Sequence, residues 1–327
     1  MDAGYLGKTG LRISSLALGT MSFGGEADER AATRMFAMCR DAGINTFDCA
    51  DVYNGGRAEE ILGTLINDCR DQVVITSKCS FPTGRGLNDR GLSRYHLVRA
   101  VEASLRRLQT DRIDIYYLHH FDENTALEES LRTLNDLVAQ GKILYPALSN
   151  FAAWQVQKAL GVAALHHLAP PVAIQPMYSL IKRQAEVELL PMAAAEGLGV
   201  FAYSPLGSGL LSGKYGIEDR PDRGRLVDDV RYQARYGGPD VYRVAEDFRA
   251  LAADWGRHPV SLAIAWVASH PTVTAPLVGA RSAEQLAPAL VAAEIDLSPE
   301  EREQISAVSV EPPTATDRDE ERAGYRR

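Results

Sequence analysis

The chain has 327 residues, of which 46% are hydrophobic and 24% are charged, so it can bury a full-sized core. These values exclude a disordered chain and a small disulfide-stabilised domain. Its 35 basic and 43 acidic residues give a formal charge of −8, and no long basic run argues for a nucleic-acid partner. Neither a signal peptide nor an apolar run of about 18 residues is evident, so we expect a cytoplasmic protein that does not bind membranes.

The cysteines and histidines give no metal signature. Cysteines at positions 39, 49, 69 and 79 fit neither a CxxC redox pair nor a zinc knuckle, so we predict buried free thiols. His119 and His120 are adjacent, and neighbouring residues on a strand point to opposite faces, which argues against a chelating pair. The sequence therefore predicts no metal site.

Eight short apolar runs are candidate strands. They cover residues 15–19, 44–48, 73–78, 113–119, 143–149, 172–175, 199–204 and 273–279. Each run is almost continuously hydrophobic, as in parallel strands that are covered on both faces. Helical periodicity lies between them, at 29–43, 57–69, 93–108, 126–141 and 185–197. The strands recur about every 30 residues over most of the chain, which is the size of one βαβ unit. Eight such units predict an α/β fold, namely a (β/α)8 TIM barrel. We expect this barrel to form a single domain over residues 1–327.

A doubly wound sheet is the main alternative to the barrel. Its signature would be a strand, a GxGxxG turn and a phosphate-binding helix. The nearest match, Gly207 to Gly213, has three residues where two are needed after its second glycine, and the polar residues that follow predict a loop. The barrel is therefore the better prediction.

Additional segments frame the predicted barrel. Residues 5–14 predict a β-hairpin that turns at Lys8-Thr9-Gly10 and closes the bottom of the barrel. Residues 205–240 predict a long polar loop, which two helices follow at 241–255 and 259–269. A C-terminal helix is expected from Ser298, with Pro299 at its first position, and residues 312–327 are expected to be a mobile tail.

Polar residues at the predicted strand ends suggest a site for proton transfer, because reactive residues in such barrels lie at the carboxyl ends of the strands. Asp48, Lys78 and His119 each close an apolar run, and Tyr53 lies in the loop after Asp48. A lysine beside a tyrosine lowers the tyrosine pKa from about 10, and a carboxylate keeps that lysine charged. We therefore expect Tyr53 to act as a general acid.

Six segments in this order resemble the aldo-keto reductase superfamily: 47–63, 73–78, 114–122, 141–151, 172–179 and 201–215. The resemblance runs from residue 5 to about 295. It implies an NADPH-dependent reductase of aldehydes or ketones, sugar-like carbonyls among them, with Asp48, Tyr53, Lys78 and His119 as the catalytic tetrad. Hydride would pass from the nicotinamide to the carbonyl carbon, Tyr53 would supply the proton, and His119 would orient the carbonyl oxygen.

The resemblance also implies a set of NADPH contacts. These are Thr20, Met21, Ser149, Asn150, Gln175, Tyr203, Ser204, Pro205, Leu206, Gly209, Leu211, Lys214, Gly279, Arg281 and Gln285. Ser149, Asn150 and Gln175 would bind the carboxamide, and Tyr203 would stack on the nicotinamide ring. Amides near Leu206 and Gly209, with Lys214, would hold the pyrophosphate, and the loop of Gly279, Arg281 and Gln285 would hold the 2′-phosphate. Pro288 and Ala289 replace an acidic residue and an asparagine that are common in the family, which predicts a looser adenine pocket.

The sequence leaves more than one function open. The first is an enzyme acting on a small-molecule carbonyl, and the second is a nucleotide-binding regulatory subunit, because the family also includes potassium-channel β-subunits. A metal-dependent barrel hydrolase is less favoured, since its HxH strand signature is absent. The substrate pocket is expected to draw on Met21, Phe23, Phe121, Trp154, Tyr178 and either Tyr232 or Tyr236. The sequence predicts neither the substrate itself nor the oligomeric state.

Overall fold

The computed structural model describes residues 1–316; residues 317–327, and with them most of the predicted mobile tail, lie outside the described residues. In this part of the chain, eight parallel strands form a closed barrel and two antiparallel strands form a hairpin. The strands are β1 (Ala3–Tyr5), β2 (Arg12–Ser14), β3 (Ala17–Gly19), β4 (Thr46–Asp48), β5 (Val74–Cys79), β6 (Ile113–Leu118), β7 (Ile143–Ser149), β8 (Ala173–Gln175), β9 (Gly199–Ala202) and β10 (Ala275–Val278). The predicted TIM barrel with an N-terminal hairpin is confirmed.

Helices surround the barrel. They are α1 (Glu29–Asp41), α2 (Arg57–Ile66), α3 (Arg94–Leu108), α4 (Leu127–Ala139), α5 (Ala153–Leu165), α6 (Leu189–Glu196), α7 (Arg225–Asp228), α8 (Val230–Tyr236), α9 (Pro239–Asp254), α10 (Pro259–Ala268), α11 (Ala283–Val291) and α12 (Pro299–Ser306). The longest of these described helices, α9, has 16 residues, and none is long and apolar enough to cross a membrane.

Side chains alternate between two cores along each barrel strand. On β5, Val74 belongs to the cluster inside the barrel, whereas Ile75 and Cys79 belong to the larger cluster between the barrel and the helices. The inner cluster comprises Leu6, Ile13, Ala17, Val74, Ile115, Tyr117, Ala147, Ala173, Phe201, Ala275 and Leu277. Because both faces are buried, the strands show continuous hydrophobic runs in the sequence.

The hairpin closes the end of the barrel at which the strands begin. Strands β1 and β2 pair with Tyr5 opposite Arg12, and Leu6 and Ile13 are fully buried in the inner cluster. Gly7 has a φ of +53°, and a Cβ there would lie 2.5 Å from the carbonyl oxygen of Gly197, just before β9. Only glycine fits this close approach, which fixes the hairpin under the barrel.

The prediction that residues 205–240 form one long polar loop is wrong for part of this segment. A 3₁₀ turn at Gly207–Ser212 and the short helices α7 and α8 lie within it. Leu226 and Tyr236 from these helices pack in a third apolar cluster with Leu210 and Tyr215. Each helix has too few turns to show a hydrophobic period in the sequence, so its structure depends on this packing.

The C-terminal helix begins where it was predicted, with Pro299 at its first position, and Ser298 is its N-cap. The Ser298 hydroxyl accepts a hydrogen bond from the Glu301 amide at 3.1 Å, and the Glu301 carboxylate accepts one from the Ser298 amide at 2.8 Å. Ile305 is fully buried, so α12 packs on the outside of the barrel.

Candidate active site

Lys78 is the centre of the site at the carboxyl ends of the strands. Its side chain is fully buried, and its Nζ lies 2.6 Å from Asp48 Oδ2 and 3.3 Å from the Tyr53 hydroxyl. Nζ also donates to the carbonyl oxygen of Cys49 at 2.7 Å. Burial opposes the charge on Lys78, but Asp48 and Tyr53 outweigh it, so the net effect is a raised pKa and a lysine that stays a cation.

Asp48 is held from three other strands. The Thr76 hydroxyl donates to Oδ1 at 2.6 Å and the Gln175 amide donates to the same oxygen at 2.9 Å. The Thr20 hydroxyl donates to the main-chain carbonyl of Asp48 at 2.9 Å. Gln175 and Thr20 are both expected at the cofactor, but here Gln175 also positions the Asp48 carboxylate and Thr20 holds the Asp48 backbone. Thr76 was not predicted, although it lies two residues before Lys78 on the same face of β5.

Tyr53 begins a short 3₁₀ turn between β4 and α2. The next residue, Asn54, has a φ of 49°, and its amide donates to the carbonyl oxygens of Met21 at 2.9 Å and Phe23 at 2.7 Å. The turn is thus anchored to the loop after β3. Burial raises the pKa of Tyr53 to about 12, and Lys78 lowers it only in part. The predicted effect of the lysine is present but smaller than that of burial, so the phenol keeps its proton at neutral pH.

His119 directly follows β6 and lies next to Tyr53. The two ring centroids are 6.0 Å apart, with the rings nearly perpendicular, and Phe81 contacts the other side of the imidazole at 4.8 Å. Burial, and then the charge of Lys78, hold the pKa of His119 well below its usual value. The imidazole is therefore neutral at pH 7. His120 is exposed, and its Nδ1 lies 2.6 Å from the carbonyl oxygen of Phe121.

The predicted carboxamide contacts gather on one side of the same opening. The Asn150 amide donates to the His119 carbonyl at 2.9 Å and accepts from the Tyr203 hydroxyl at 2.7 Å. The Ser149 hydroxyl donates to the Gln175 carbonyl at 3.1 Å. An alternative role for Ser149 and Asn150 as caps of the next helix is excluded, because Ala152 is the N-cap of α5.

The predicted phosphate contacts lie on the loops after β9 and β10. Ser204, Pro205 and Leu206 lead into the 3₁₀ turn that contains Gly209 and Leu211, and exposed Lys214 follows that turn. Gly279 adjoins β3, since a Cβ on it would lie 3.5 Å from the Gly19 carbonyl oxygen. The Gln285 side chain accepts from the Arg281 amide at 3.3 Å.

An acidic residue that was not predicted holds the basic groups of this region. The Arg281 guanidinium lies 2.7 Å from Glu26, and Arg225 contacts the same carboxylate at 3.3 Å. Arg281 is also close enough to Tyr215 to affect its ionisation, which places it beside the loop of Lys214. No short sequence pattern connects Glu26 with these arginines, because the contact joins the loop after β3 to loops from the other half of the chain.

Three predicted pocket residues, Phe23, Tyr178 and Tyr236, are buried in apolar clusters. Phe23 is fully buried in the outer cluster, and Tyr178 packs 5.2 Å from the Trp266 ring and donates to Glu186 at 2.6 Å. An aromatic residue that follows a strand can pack either in the outer core or in a substrate pocket. The sequence does not distinguish these two positions. Met21 and Trp154 are exposed, and Phe81, which was not predicted, lies beside His119 and is 39% exposed.

The structure is thus a (β/α)8 barrel that holds, at the carboxyl ends of its strands, a buried lysine between a carboxylate and a protonated tyrosine, with a neutral histidine beside them. Residues 15–310 match the aldo/keto reductase family, and the chain belongs to this family of oxidoreductases.

Relatives of the chain carry two kinds of name. An uncharacterized oxidoreductase, YrpG, from Bacillus subtilis (strain 168) is 39% identical over 92% of this chain and 93% of its own length. A probable voltage-gated potassium channel subunit beta from Oryza sativa subsp. japonica is 37% identical over 95% of this chain and 98% of its own length. A protein of the same description from Arabidopsis thaliana is 37% identical over 86% of this chain and 88% of its own length.

Proposed function

We propose that this protein reduces aldehydes or ketones to alcohols with NADPH, and that Tyr53 donates the proton. The observation that carries the proposal is the contact of one buried ammonium group with two partners. Lys78 Nζ lies 2.6 Å from Asp48 and 3.3 Å from the Tyr53 hydroxyl at the mouth of the barrel. This arrangement suits a phenol that must lose its proton during the reaction.

The proposed mechanism follows from these contacts. NADPH supplies the hydride when it is bound. Tyr53 donates its proton to the carbonyl oxygen as negative charge develops there. The Lys78 ammonium stabilises the phenolate that remains, and Asp48 keeps Lys78 charged and in place. Neutral His119 orients the carbonyl oxygen through a hydrogen bond.

The preference for NADPH over NADH is part of the proposal. The mouth of the barrel offers a turn with successive left-handed residues, Gly207, Ser208 and Gly209, followed by exposed Lys214. Within this turn the Gly207 amide donates to the Ser204 carbonyl oxygen at 2.9 Å and the Gly209 amide to that of Leu206 at 3.0 Å. Lys214 is therefore the group of this segment that we propose for the anion. Arg281 lies close to this region and is half-exposed, so its guanidinium can reach a phosphate group. These groups suit the phosphates of a dinucleotide, and Arg281 suits the 2′-phosphate that distinguishes NADPH.

The aromatic residues at the mouth favour one substrate class among those considered. Phe81 is 39% exposed beside His119, and Trp154 is 62% exposed, 5.9 Å from the Phe121 ring. Apolar walls of this kind bind aromatic or aliphatic groups next to the carbonyl, more readily than a free sugar. We therefore propose aromatic aldehydes and ketones as the first substrates to test, ahead of sugar-like carbonyls. The cytoplasmic location, the single domain over residues 1–327 and the lack of a nucleic-acid partner stay predictions.

Turnover of a carbonyl panel tests this proposal. Aromatic aldehydes, aromatic ketones, aliphatic aldehydes and keto-sugars are incubated with the purified protein, and loss of reduced-nicotinamide absorbance is followed with NADPH and with NADH. We expect multiple-turnover reduction of at least the aromatic aldehydes, faster with NADPH. Tight NADPH binding without multiple turnover on any member of the panel would contradict the proposal.

A nucleotide-binding regulatory subunit is the second candidate function. It is supported by the rice and Arabidopsis relatives, whose names describe potassium channel β-subunits. The tetrad does not distinguish the two functions, because a slow enzyme that senses a cofactor needs the same residues. Retention of bound nucleotide through purification, with turnover slower than its release, would favour the regulatory subunit.

A further inference from the structure

A second group of chemically active side chains lies behind the tetrad, on the outer face of the barrel wall. Asp51 follows β4, Cys79 ends β5, and His96 lies in the first turn of α3. One potential ligand atom from each residue lies within 4.8 Å of the other two. Cys79 is next to Lys78 on β5 and so points to the opposite face. The group is therefore separate from the catalytic centre.

The polar atoms of this group have few hydrogen-bond partners. Nε2 of His96 is buried and has no partner among residues 1–316, the buried Asp51 carboxyl receives at most the amide of its neighbour Val52, and the Tyr116 hydroxyl contacts Cys79. Asp51 and His96 are each only 3% exposed. Almost all buried polar groups in folded proteins have a partner. A buried imidazole nitrogen without a partner, next to a poorly satisfied carboxyl and a thiol, therefore leaves room for a ligand between them.

The charges around the group indicate that a cation binds there. Three carboxylates are buried in this part of the molecule, and two have basic partners: Asp48 pairs with Lys78, and Glu59 pairs with Arg107 at 2.6 Å. Asp51 has no ion pair within the described part of the chain. A buried carboxyl without a counter-charge stays protonated, and a bound cation would take the place of that proton.

The donor atoms select the kind of cation. A thiolate, an imidazole and a carboxylate together suit Zn²⁺, which binds sulfur, nitrogen and oxygen in a tetrahedral arrangement. His96 has the second contact that metal-binding histidines usually show, because the backbone of Asn88 accepts a hydrogen bond from its ring, and Nε2 is left without a partner. Hard cations such as Mg²⁺ do not suit a site with a sulfur ligand.

We propose that Asp51, Cys79 and His96 bind one Zn²⁺ ion. Cys79 binds as the thiolate and releases its proton to solvent, a water molecule completes the coordination, and the Tyr116 hydroxyl is available to hydrogen-bond that water. The ion joins the loop that leads to Tyr53, the strand that carries Lys78, and helix α3. It takes no part in hydride or proton transfer, and acts by stabilising the wall on which the tetrad lies.

Metal analysis and cobalt substitution test this site. The tag-free protein is expressed with zinc in the medium and purified without chelators, and its metal content is measured. We expect about one Zn²⁺ per chain, and a sulfur-to-cobalt charge-transfer band when Co²⁺ replaces it under reducing conditions. Cys79→Ala should lose both the ion and the band. Cys39→Ala, which removes another fully buried thiol on α1, should keep both.

Two further measurements keep the test decisive. Circular dichroism establishes that each variant is folded, and if Cys79→Ala does not fold, the charge-transfer band of the parent protein alone decides whether a thiolate binds the metal. Zinc should also raise the thermal unfolding midpoint of the parent protein and leave that of His96→Gln unchanged. No metal after titration with zinc or cobalt, or an equal metal content in Cys79→Ala, would overturn the proposal.

Discussion

The two sides of the barrel mouth differ in how their functional residues are held. On the tetrad side, Lys78 and Asp48 are buried and bind each other at 2.6 Å, and Thr76 and Gln175 hold the remaining carboxylate oxygen. On the phosphate side, Arg281 is 39% exposed and binds the surface carboxylate of Glu26. The tetrad side is therefore positioned before any ligand binds, whereas Arg281, in its proposed role, would have to leave Glu26 to bind a phosphate.

This difference follows from the elements that carry the residues. Barrel strands have a fixed register, with Asp48 opposite Thr76 and Lys78 opposite Tyr117, so the side chains at their ends have little freedom. The phosphate side is built from loops, which are more mobile and more exposed. Changes on the tetrad side should therefore affect both folding and catalysis, and changes on the phosphate side should affect affinity alone.

The largest effect is expected from removing the buried lysine. Lys78→Met leaves Asp48 buried without a counter-charge, and the loss of one partner of a buried ion pair lowers the free energy of unfolding by about 3–5 kcal/mol. Urea unfolding followed by circular dichroism measures this. The matched control is Lys142→Met, which breaks the half-exposed pair with Glu102 and should cost less than about 1 kcal/mol. Similar losses in the two variants would show that burial does not distinguish the two ion pairs.

A smaller effect is expected on the phosphate side. Arg281→Ala removes a cation proposed to bind the 2′-phosphate, and charge-assisted hydrogen bonds of this kind contribute enough to weaken NADPH binding about tenfold or more. NADH binding should stay almost unchanged, and so should the unfolding midpoint. Fluorescence titration with both nucleotides measures the change. An equal loss for both cofactors would mean that Arg281 supports the loop and does not read the phosphate.

Glu26 provides the opposite test of the same region. Because Glu26 binds Arg281 through an exposed ion pair worth at most about 1 kcal/mol, Glu26→Gln should strengthen NADPH binding by about two- to fivefold. The same titration detects this gain, which should shrink at high salt. A weaker affinity in Glu26→Gln would show that the carboxylate orients Arg281 instead of competing for it.

The smallest effect is expected from pH. Reduction needs Tyr53 with its proton, and burial raises the pKa of Tyr53 to about 12, so activity is retained below that value and lost only as pH rises toward it. His119 has a lowered pKa and stays neutral at and above neutral pH. We therefore expect kcat/KM for reduction to be nearly constant between about pH 7 and 9. A bell-shaped profile centred in this interval would contradict both assignments.

The sequence located the residues of the tetrad side at the mouth of the barrel because strand ends are easy to find, and their catalytic role stays a prediction. An apolar run that stops at Asp48, Lys78 or His119 identifies a residue at the mouth of the barrel, and the parallel register brings such residues together. Thr76 follows the same rule, since it precedes Lys78 by two residues on one strand, and it could have been predicted. Phe23 and Tyr178 could not be assigned, because aromatic residues also fill the core between barrel and helices.

Other features depend on contacts between segments that are distant in sequence. Glu26 meets Arg281 across the seam between β3 and β10, and no local pattern signals this contact. The proposed zinc ligands likewise come from three different elements: Asp51 from a loop, Cys79 from a strand and His96 from a helix. They therefore form no short metal-binding motif in the sequence. The sequence predicted which residues end the strands, but not which loop residues would become neighbours.

The central claim is that Tyr53 supplies the proton in carbonyl reduction, and single-turnover kinetics of Tyr53→Phe test it most directly. Parent and variant are loaded with NADPH and mixed with an aromatic aldehyde, and nicotinamide absorbance gives the rate of the chemical step. We expect the variant to bind NADPH normally, to unfold at nearly the same urea concentration, and to react about 10² to 10⁴-fold more slowly. An unchanged rate in Tyr53→Phe would contradict the account and assign the proton to another residue.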